Sequence, residues 1–563
     1  MNKAIIDDAL ADGAEAALET AGLFGRRVAW WGACALLGVL ALLVALPGID
    51  RVPLDSHEIF VAQSVREMSA RGDWLLPYFN GVPRLNKPPM NYWLTGLVAG
   101  LAGALPDVAP AHARLVSVGA GLGTLALSVW LGVLLYGRQT AVLAGLVLVS
   151  SAGYFSFTHD ARPDLLYAFF TTAMIVAAVH ALRGSSRPRL AAALTWLAFA
   201  GATLTKGPHL PAFALLGLGV HAALIARSVR VPWRALRVWP GLLLALVPVA
   251  AWWGWLRLQI DPAALGHSQL AGSLLAPAWQ RFGDPYYLYR PLQLLLPWLP
   301  LVLLALGGLC LRDGRRHTGW LWWPLLVAAV ALSCGRQYRY FYLLPLIAPL
   351  SLAFTRPVVV LLRSALGAWP RQLVQLGIVL QILLALACAG WVLVESGRLR
   401  WLTPPILATA GAGVLAIIVW RLYARAPAED LAAPGRRAYA TLAATAVFVA
   451  ALWPGAAWTG VVWSRERFDE QALCAQAAAE VRGGRPLATL GVSPTLYVYA
   501  TNTRVPELAT AAEAAALAAT HGAIALVVHS DRLPEPQSAL TVTEIARARR
   551  GSRDDVLVSA EGR

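Results

Sequence analysis

Hydrophobic positions in this chain form long, nearly unbroken runs separated by short polar turns, a pattern that predicts membrane-spanning helices rather than amphipathic helices around a soluble core. Runs of crossing length cover 28–48, 112–136, 139–158, 164–182, 189–205, 207–226, 237–256, 290–310, 318–335, 340–355, 373–394, 401–420 and 438–463. This predicts a bundle of about thirteen transmembrane helices. A further run at 92–105 is short and glycine-rich, and if it crossed, every later loop would change sides. Without that crossing, the cytoplasmic loops collect Arg183, Arg187 and Arg189; Arg227, Arg230, Arg234 and Arg237; Arg312, Arg315 and Arg316; and Arg421, Arg425, Arg436 and Arg437. Positive loops stay inside, so 92–105 is expected to be interfacial or re-entrant, with its free backbone groups covered by protein or water. The polar, alanine-rich start ends in Arg26 and Arg27 before the first apolar run, which predicts a retained first span and a cytoplasmic amino terminus.

Two pieces are then expected on the outer face: the loop 49–111 and the tail from Arg465 onward. The tail alternates helical patterns at 468–481 and 510–520 with apolar strand-like runs at 486–492, 523–529 and 556–559, which predicts a small α/β domain. The expected organisation is a membrane domain over 1–464, carrying the outer loop 49–111, and a soluble outer α/β domain over 465–563.

Composition sharpens this picture. The 563 residues are 58% hydrophobic and 14% charged, where a soluble protein has roughly 25% charged residues, so a soluble enzyme is excluded. The net charge of +16 comes from small basic groups between apolar runs and so reads as a topological signal, with no nucleic-acid partner expected. Cysteines 34, 310, 334, 388 and 474 make no metal-ligand pair, and neither a disulfide framework nor a zinc site is expected.

The candidate chemistry lies in the expected outer-face turns. The loop segment PLDSHEIFVAQSVREM places Asp55, His57 and Glu58 together at the start of a helical pattern. A carboxylate at the membrane surface could take a proton from an acceptor hydroxyl, but the Asp55 to Glu58 spacing also fits a helix capping box. Lysine occurs only at 3, 87 and 206, and Lys87 in NKPP and Lys206 in TKGP both sit at rigid proline turns suited to a phosphate; the alternative is an ordinary interfacial lysine. The turn THDARPD holds His159, Asp160, Arg162 and Asp164, ionisable groups that are costly at a membrane boundary unless paired or functional. Asp164 also fits a helix cap or an ion pair with Arg162. The turn SCGRQYRYFYLLP adds Arg336, Arg339, Tyr338, Tyr340 and Tyr342, suited to phosphate and sugar or to a membrane aromatic belt. Together these turns predict an outer-face pocket for a phosphate-bearing substrate.

The acidic start, REM, GDWLLPYFNGVPRLNKPPMNYW, ARPD, LTKGP, PYYLYRP with LLPW, and YFYLLPLIAP, in this order over residues 55–350, resemble the polyprenyl-phosphate-sugar-dependent membrane glycosyltransferases of the GT-C type. The resemblance is to the aminoarabinose lipid A transferase branch, related to protein O-mannosyltransferases. It implies a GT-C-type bundle, an outer-face active site between the first loop and the bundle, and a soluble periplasmic terminal domain. By this resemblance Lys87 is the ligand of the lipid phosphate, with Arg84 as a lesser candidate; Lys206 and Arg339, from their own cationic turns, are further donor phosphate-binding candidates. Glu58 is the acid/base candidate with Asp55 in reserve, and Asp164 is the second acidic position. His57, Arg162, Tyr340 and Tyr287 line the pocket. The branch places Glu before the KPP lysine and His before the PF aromatic stretch as potential metal ligands. Here those places hold Asn86 and the segment RFGD before Pro285, with His267 upstream, so no metal or other cofactor is expected. The expected partners are a polyprenyl-phosphate-linked sugar and a lipid A, glycan or protein acceptor, at the bacterial inner membrane. A transporter or lipid flippase is the rival reading, and it would predict paired inverted repeats that the chain does not display.

Overall fold

The computed structural model describes residues 27–225, 231–261, 286–302, 315–335, 338–363, 368–395, 403–425, 433–467, 470–533, 540–550 and 553–562. Two compact units result: unit 1 is Met1–Ile49, Leu85–Asn91 and Arg114–Thr459, and unit 2 is Asp50–Arg84, Tyr92–Ala113 and Gly460–Arg563. Compactness therefore groups most of the first outer loop with the tail, and leaves the NKPP segment with the spans.

In chain order the helices are α1 (Arg27–Ala45), α2 (Ser56–Arg71), α3 (Met90–Leu101), α4 (Pro110–Tyr136), α5 (Arg138–Val149), α6 (Ala152–Thr158), α7 (Asp164–Leu182), α8 (Pro188–Thr205), α9 (His209–Ile225) and α10 (Val238–Gln259). The short α11 (Tyr286–Tyr289) precedes α12 (Arg315–Ser333), α13 (Ile347–Arg363), α14 (Ala368–Glu395), α15 (Thr403–Arg425) and α16 (Ala433–Arg467). Helices α17 (Glu470–Arg482), α18 (Thr495–Thr501) and α19 (Ala511–His521) follow in the tail. Among the described residues, 8 helical stretches are long and apolar enough to cross a membrane, or 9 if α5 and α6 form one broken span, and α9 and Gly319–Ser333 are shorter apolar helices. The chain is a multi-pass helical membrane protein. Part of the span expected at 290–310 lies outside the described residues.

The run at 139–158 was expected to be one span, and it is two helices bent by 58°. The bend has a local cause. Ser150 and Ser151 turn their hydroxyls back to Leu146 O and Leu148 O, each at 2.6 Å, and the Ser151 hydroxyl caps α6 by accepting from Tyr154 N at 3.3 Å. Neighbouring elements take up the freed groups: Trp298 Nε1–H donates to Ser150 Oγ at 2.9 Å, Trp453 Nε1–H to Ser150 O at 3.1 Å, and Ala152 N–H to Leu296 O at 2.7 Å. A break inside an apolar bundle is tolerable only when its backbone groups are satisfied in this way. The bend redirects the chain into the turn that carries Asp160, Arg162 and Asp164.

The segment 92–105 contains all but the first two residues of α3, which has 12 residues. Its length of about 18 Å falls short of a hydrocarbon core of about 30 Å. In the tail, β3 (Leu487–Leu490) pairs in parallel with β4 (Glu507–Leu508) and β5 (Ala523–His529). Antiparallel β7 (Arg553–Gly562) and β6 (Leu540–Arg550) complete a 5-stranded sheet of order β4-β3-β5-β7-β6. The middle of β5 is buried on both faces, which is why it reads as a continuous apolar run. A separate hairpin, β1 (Tyr78–Phe79) with β2 (Val82–Pro83), lies in the first loop.

Candidate functional site

Three of the motifs meet within unit 1. Asp164 opens α7 as its first residue, and its carboxylate is ion-paired with the Lys206 ammonium at the end of α8. Both side chains are largely buried, with relative exposures of 6% and 13%. The cap expected of Asp164 is not made: Pro163 holds the N-cap position, with no side-chain cap hydrogen bond. Nor does Asp164 pair with Arg162, whose guanidinium binds Asp160 while its N–H donates to Asp160 Oδ1 at 2.9 Å. Two ion pairs thus replace the single one considered from the sequence.

Further bonds tie these motifs together. Tyr167, one turn along α7 from Asp164, donates its hydroxyl hydrogen to Gly207 O at 2.8 Å and accepts from Leu210 N at 3.3 Å. Asn91 of NKPPMN, buried in the core, donates Nδ2–H to Ala161 O at 3.1 Å. Ser117 of α4 donates to Asp160 O at 2.6 Å, and both ring nitrogens of His159 face carbonyl oxygens, Phe155 O and Pro47 O, each at 2.9 Å. Gly207 has φ +122°, and a Cβ there would approach His209 Nδ1 at 3.2 Å, so the TKGP turn requires glycine.

The aromatic segment Tyr340–Leu346 closes this group. Lys206 Nζ lies over the Phe341 and Tyr342 rings at 5.5 and 5.2 Å, and the Arg162 guanidinium lies over Phe341 and Phe157 at 5.3 and 5.7 Å. His209, two residues beyond Gly207, tilts its ring toward Tyr167 at 6.1 Å. Lys87 is half-buried. Tyr340 packs edge-on against Phe341 at 5.5 Å. Tyr287 accepts the Arg339 N–H at 3.3 Å, and burial raises its hydroxyl above the ordinary tyrosine range, keeping it protonated. The Arg339 side chain is exposed, with no carboxylate in ion-pair range among the described residues. Arg336 and the candidate metal-ligand segment, RFGD with His267, lie outside the described residues. Among the described residues no group of three His, Cys, Asp or Glu side chains could hold a metal ion.

Unit 2 holds the other acidic candidates. Asp55 Oδ1 accepts from His57 N at 2.7 Å and Glu58 N at 2.8 Å, while Glu58 Oε2 accepts from Asp55 N at 3.0 Å. This is a complete capping box on α2. Asp55 and His57 are exposed, whereas Glu58 is 4% exposed. Arg84 lays its guanidinium on Phe60 at 3.8 Å, and no ion pair of Arg84 occurs among the described residues.

The REM element ties unit 2 together. Arg66 donates to Tyr499 O at 2.8 Å and Val108 O at 3.3 Å and lies over the Tyr499 ring at 4.1 Å. Glu67 accepts from Asn80 N at 2.7 Å and Gly81 N at 2.9 Å, fixing the hairpin turn, and Met68 is fully buried. Asn80 in turn exchanges two 2.8 Å bonds with the Val505 backbone. Phe341, Tyr167 and Asn91 were not singled out from the sequence; of these only Tyr167 carried a usable signal, its position three residues after Asp164 on the same helix face.

In chemical terms, unit 1 presents lysine charges beside a buried carboxylate and a wall of aromatic rings. Cations suit a phosphate, and aromatic faces suit a sugar or the cations themselves.

No protein-family model matches the chain. Over 350 residues, 58% of this chain and 59% of the relative, it is 29% identical to the undecaprenyl phosphate-alpha-4-amino-4-deoxy-L-arabinose arabinosyl transferase of Edwardsiella ictaluri (strain 93-146). Identity is 30% over 352 residues with the corresponding transferase 1 of Sodalis glossinidius (strain morsitans), covering 57% of this chain and 58% of that one. The match thus spans less than two thirds of the length of these curated relatives. In fold, the chain superposes on ArnT from Cupriavidus metallidurans bound to undecaprenyl phosphate with a TM-score of 0.71, at 18% identity over 94% of this chain and 98% of that one. The apo form of the same protein gives 0.69 at 19% identity, over 95% and 98%. The chain is similar in sequence, over somewhat more than half its length, to the undecaprenyl-phosphate aminoarabinose transferases and has the GT-C-type fold of the ArnT structures.

Proposed function

We propose that this protein is a membrane glycosyltransferase that moves a sugar, aminoarabinose-like or a hexose, from a polyprenyl-phosphate donor to a periplasmic acceptor such as lipid A or another glycoconjugate. The observation that carries this reading is the meeting of NKPPMN, ARPD and TKGP in unit 1, where Asn91 bonds Ala161 O and Lys206 pairs with Asp164 against Phe341. The relatives named above, which carry this donor in their names, support the same assignment.

The chemistry follows from the groups present. The acceptor oxygen attacks the anomeric carbon, the bond from that carbon to the phosphate oxygen breaks, and the electron pair leaves on the polyprenyl phosphate. Lys87 neutralises the growing phosphate charge, with Arg339 as a second cation, an electrostatic contribution of the kind that dominates many enzymes. Lys206 is committed to Asp164, so its role is to hold that carboxylate against the aromatic segment. Glu58, or Asp55 in its place, takes the acceptor proton. A single displacement of this kind inverts the anomeric centre. The site faces the periplasm from the bacterial inner membrane, with the donor's apolar tail remaining in the bilayer.

The test is transfer in proteoliposomes supplied with undecaprenyl-phosphate aminoarabinose and lipid A, with products separated by mass. Modified lipid A formed by wild type and abolished by Glu58→Gln supports the reading. Movement of the donor across the bilayer with no transfer would replace it with the flippase reading.

A further inference from the structure

Unit 2 contains a cleft of about 340 Å³ that none of the transfer chemistry uses. Three guanidinium groups line it: Arg66 and Arg71 from α2, and Arg504 after α18. The one carboxylate on its wall, Glu67, is spent on the Asn80 and Gly81 amides and on Gln63 Nε2. None of the three arginines makes an ion pair among the described residues. Arg66 uses its terminal nitrogens on the Tyr499 and Val108 carbonyls, and Arg71 reaches Gly81 O at 3.4 Å and lies over Tyr78 at 4.0 Å. Arg504 is exposed, with its stem crossing Gly81, where a Cβ would lie 3.5 Å from Arg504 Cδ. Gly81 has φ +80°, a conformation that favours glycine and keeps this approach open.

Like charges gathered on one concave wall repel, and an anion seated among them relieves that repulsion. Guanidinium forks match the oxygens of a phosphate better than a point charge does. The volume exceeds the needs of a bare phosphate and lies at the lower end of small-molecule sites, about 300–1,000 Å³. Asn502 on the same wall can serve a hydroxyl-bearing ring. We propose that this arginine-lined cleft is a second anion site, distinct from the donor site, that binds a phosphate monoester, either on a sugar headgroup or as free phosphate. The inference stands on unit 2 alone and does not depend on the transfer reaction.

The test uses the full-length protein in nanodiscs of neutral lipid, titrated calorimetrically with glucose 6-phosphate, inorganic phosphate and glucose. Phosphate-dependent binding that falls about tenfold or more in the Arg71→Gln/Arg504→Gln protein, and is kept in Lys87→Ala, supports the site. Both arginines are exposed, and an unchanged unfolding midpoint shows that the variant folds. With that dependence in place, glucose 6-phosphate binding more tightly than inorganic phosphate assigns a headgroup, and equal affinities assign free phosphate. Unchanged affinity in the double variant, loss in Lys87→Ala instead, or equal binding of glucose overturns the proposal.

Discussion

Asp164 at the start of α7 and Lys206 at the end of α8, 42 positions apart in sequence, form a largely buried ion pair against the Phe341 and Tyr342 rings. Breaking such a pair strands a charge, which costs about 3–5 kcal/mol, whereas replacing both partners with apolar groups is often neutral. Asp164→Ala is therefore expected to lower the unfolding midpoint clearly, and Asp164→Leu/Lys206→Met to recover most of the loss. Transfer activity in the recovered double variant should stay absent. Full activity in it would reduce the pair to a structural element.

The capping box separates two roles that a single alanine scan would mix. Gln at the third helical position can still cap, so Glu58→Gln should leave stability near wild type while abolishing transfer. Asp55→Ala loses the cap and should cost about 1 kcal/mol in thermal unfolding. If Asp55→Asn, which can still cap, loses transfer while Glu58→Gln keeps it, the base is Asp55.

Arg66 links α2 to the α18 end through two carbonyls and the Tyr499 ring. Charged hydrogen bonds contribute about 1.5–3 kcal/mol each and a cation–π contact about 0.5–2. Arg66→Ala is expected to loosen unit 2 by about 2–4 kcal/mol, with the shared Val108 carbonyl still held by Tyr499. Limited proteolysis should then cut the tail faster than in wild type. An unchanged cleavage rate would mean that the REM motif has another purpose.

At Gly207, φ +122° lies in a region costing about 1–3 kcal/mol for a residue with a side chain. Gly207→Ala should shift the TKGP turn, weaken the Tyr167 bond to Gly207 O, and reduce turnover more than donor binding. Steady-state kinetics with varied donor checks this, and unchanged kcat would show that the turn tolerates movement.

Much of this architecture is legible in the sequence because its signals are local. The Asp55 to Glu58 spacing announced a cap, β5 matched its apolar run residue for residue, and the charged loops separated the spans. What escaped was set by distant partners. The break between α5 and α6 sits in a continuous apolar run, and the groups its two serines free are taken up by Trp298 and Trp453, both distant in sequence. Strand β6 has polar and charged residues on an edge, so it lacks the buried pattern of β5. Asp164 looked like a cap because Lys206 is invisible to local reading. Arg84 and Lys87, three residues apart, belong to different compact units, a division that spacing alone does not predict.

The most direct measurement is mass spectrometry of lipids that co-purify with the detergent-extracted protein, comparing wild type with Lys87→Ala. Lys87 as the phosphate ligand predicts a polyprenyl phosphate, with or without its sugar, in wild type and its loss in the variant. Equal amounts of that lipid in both proteins would contradict the assignment of Lys87 as the donor site.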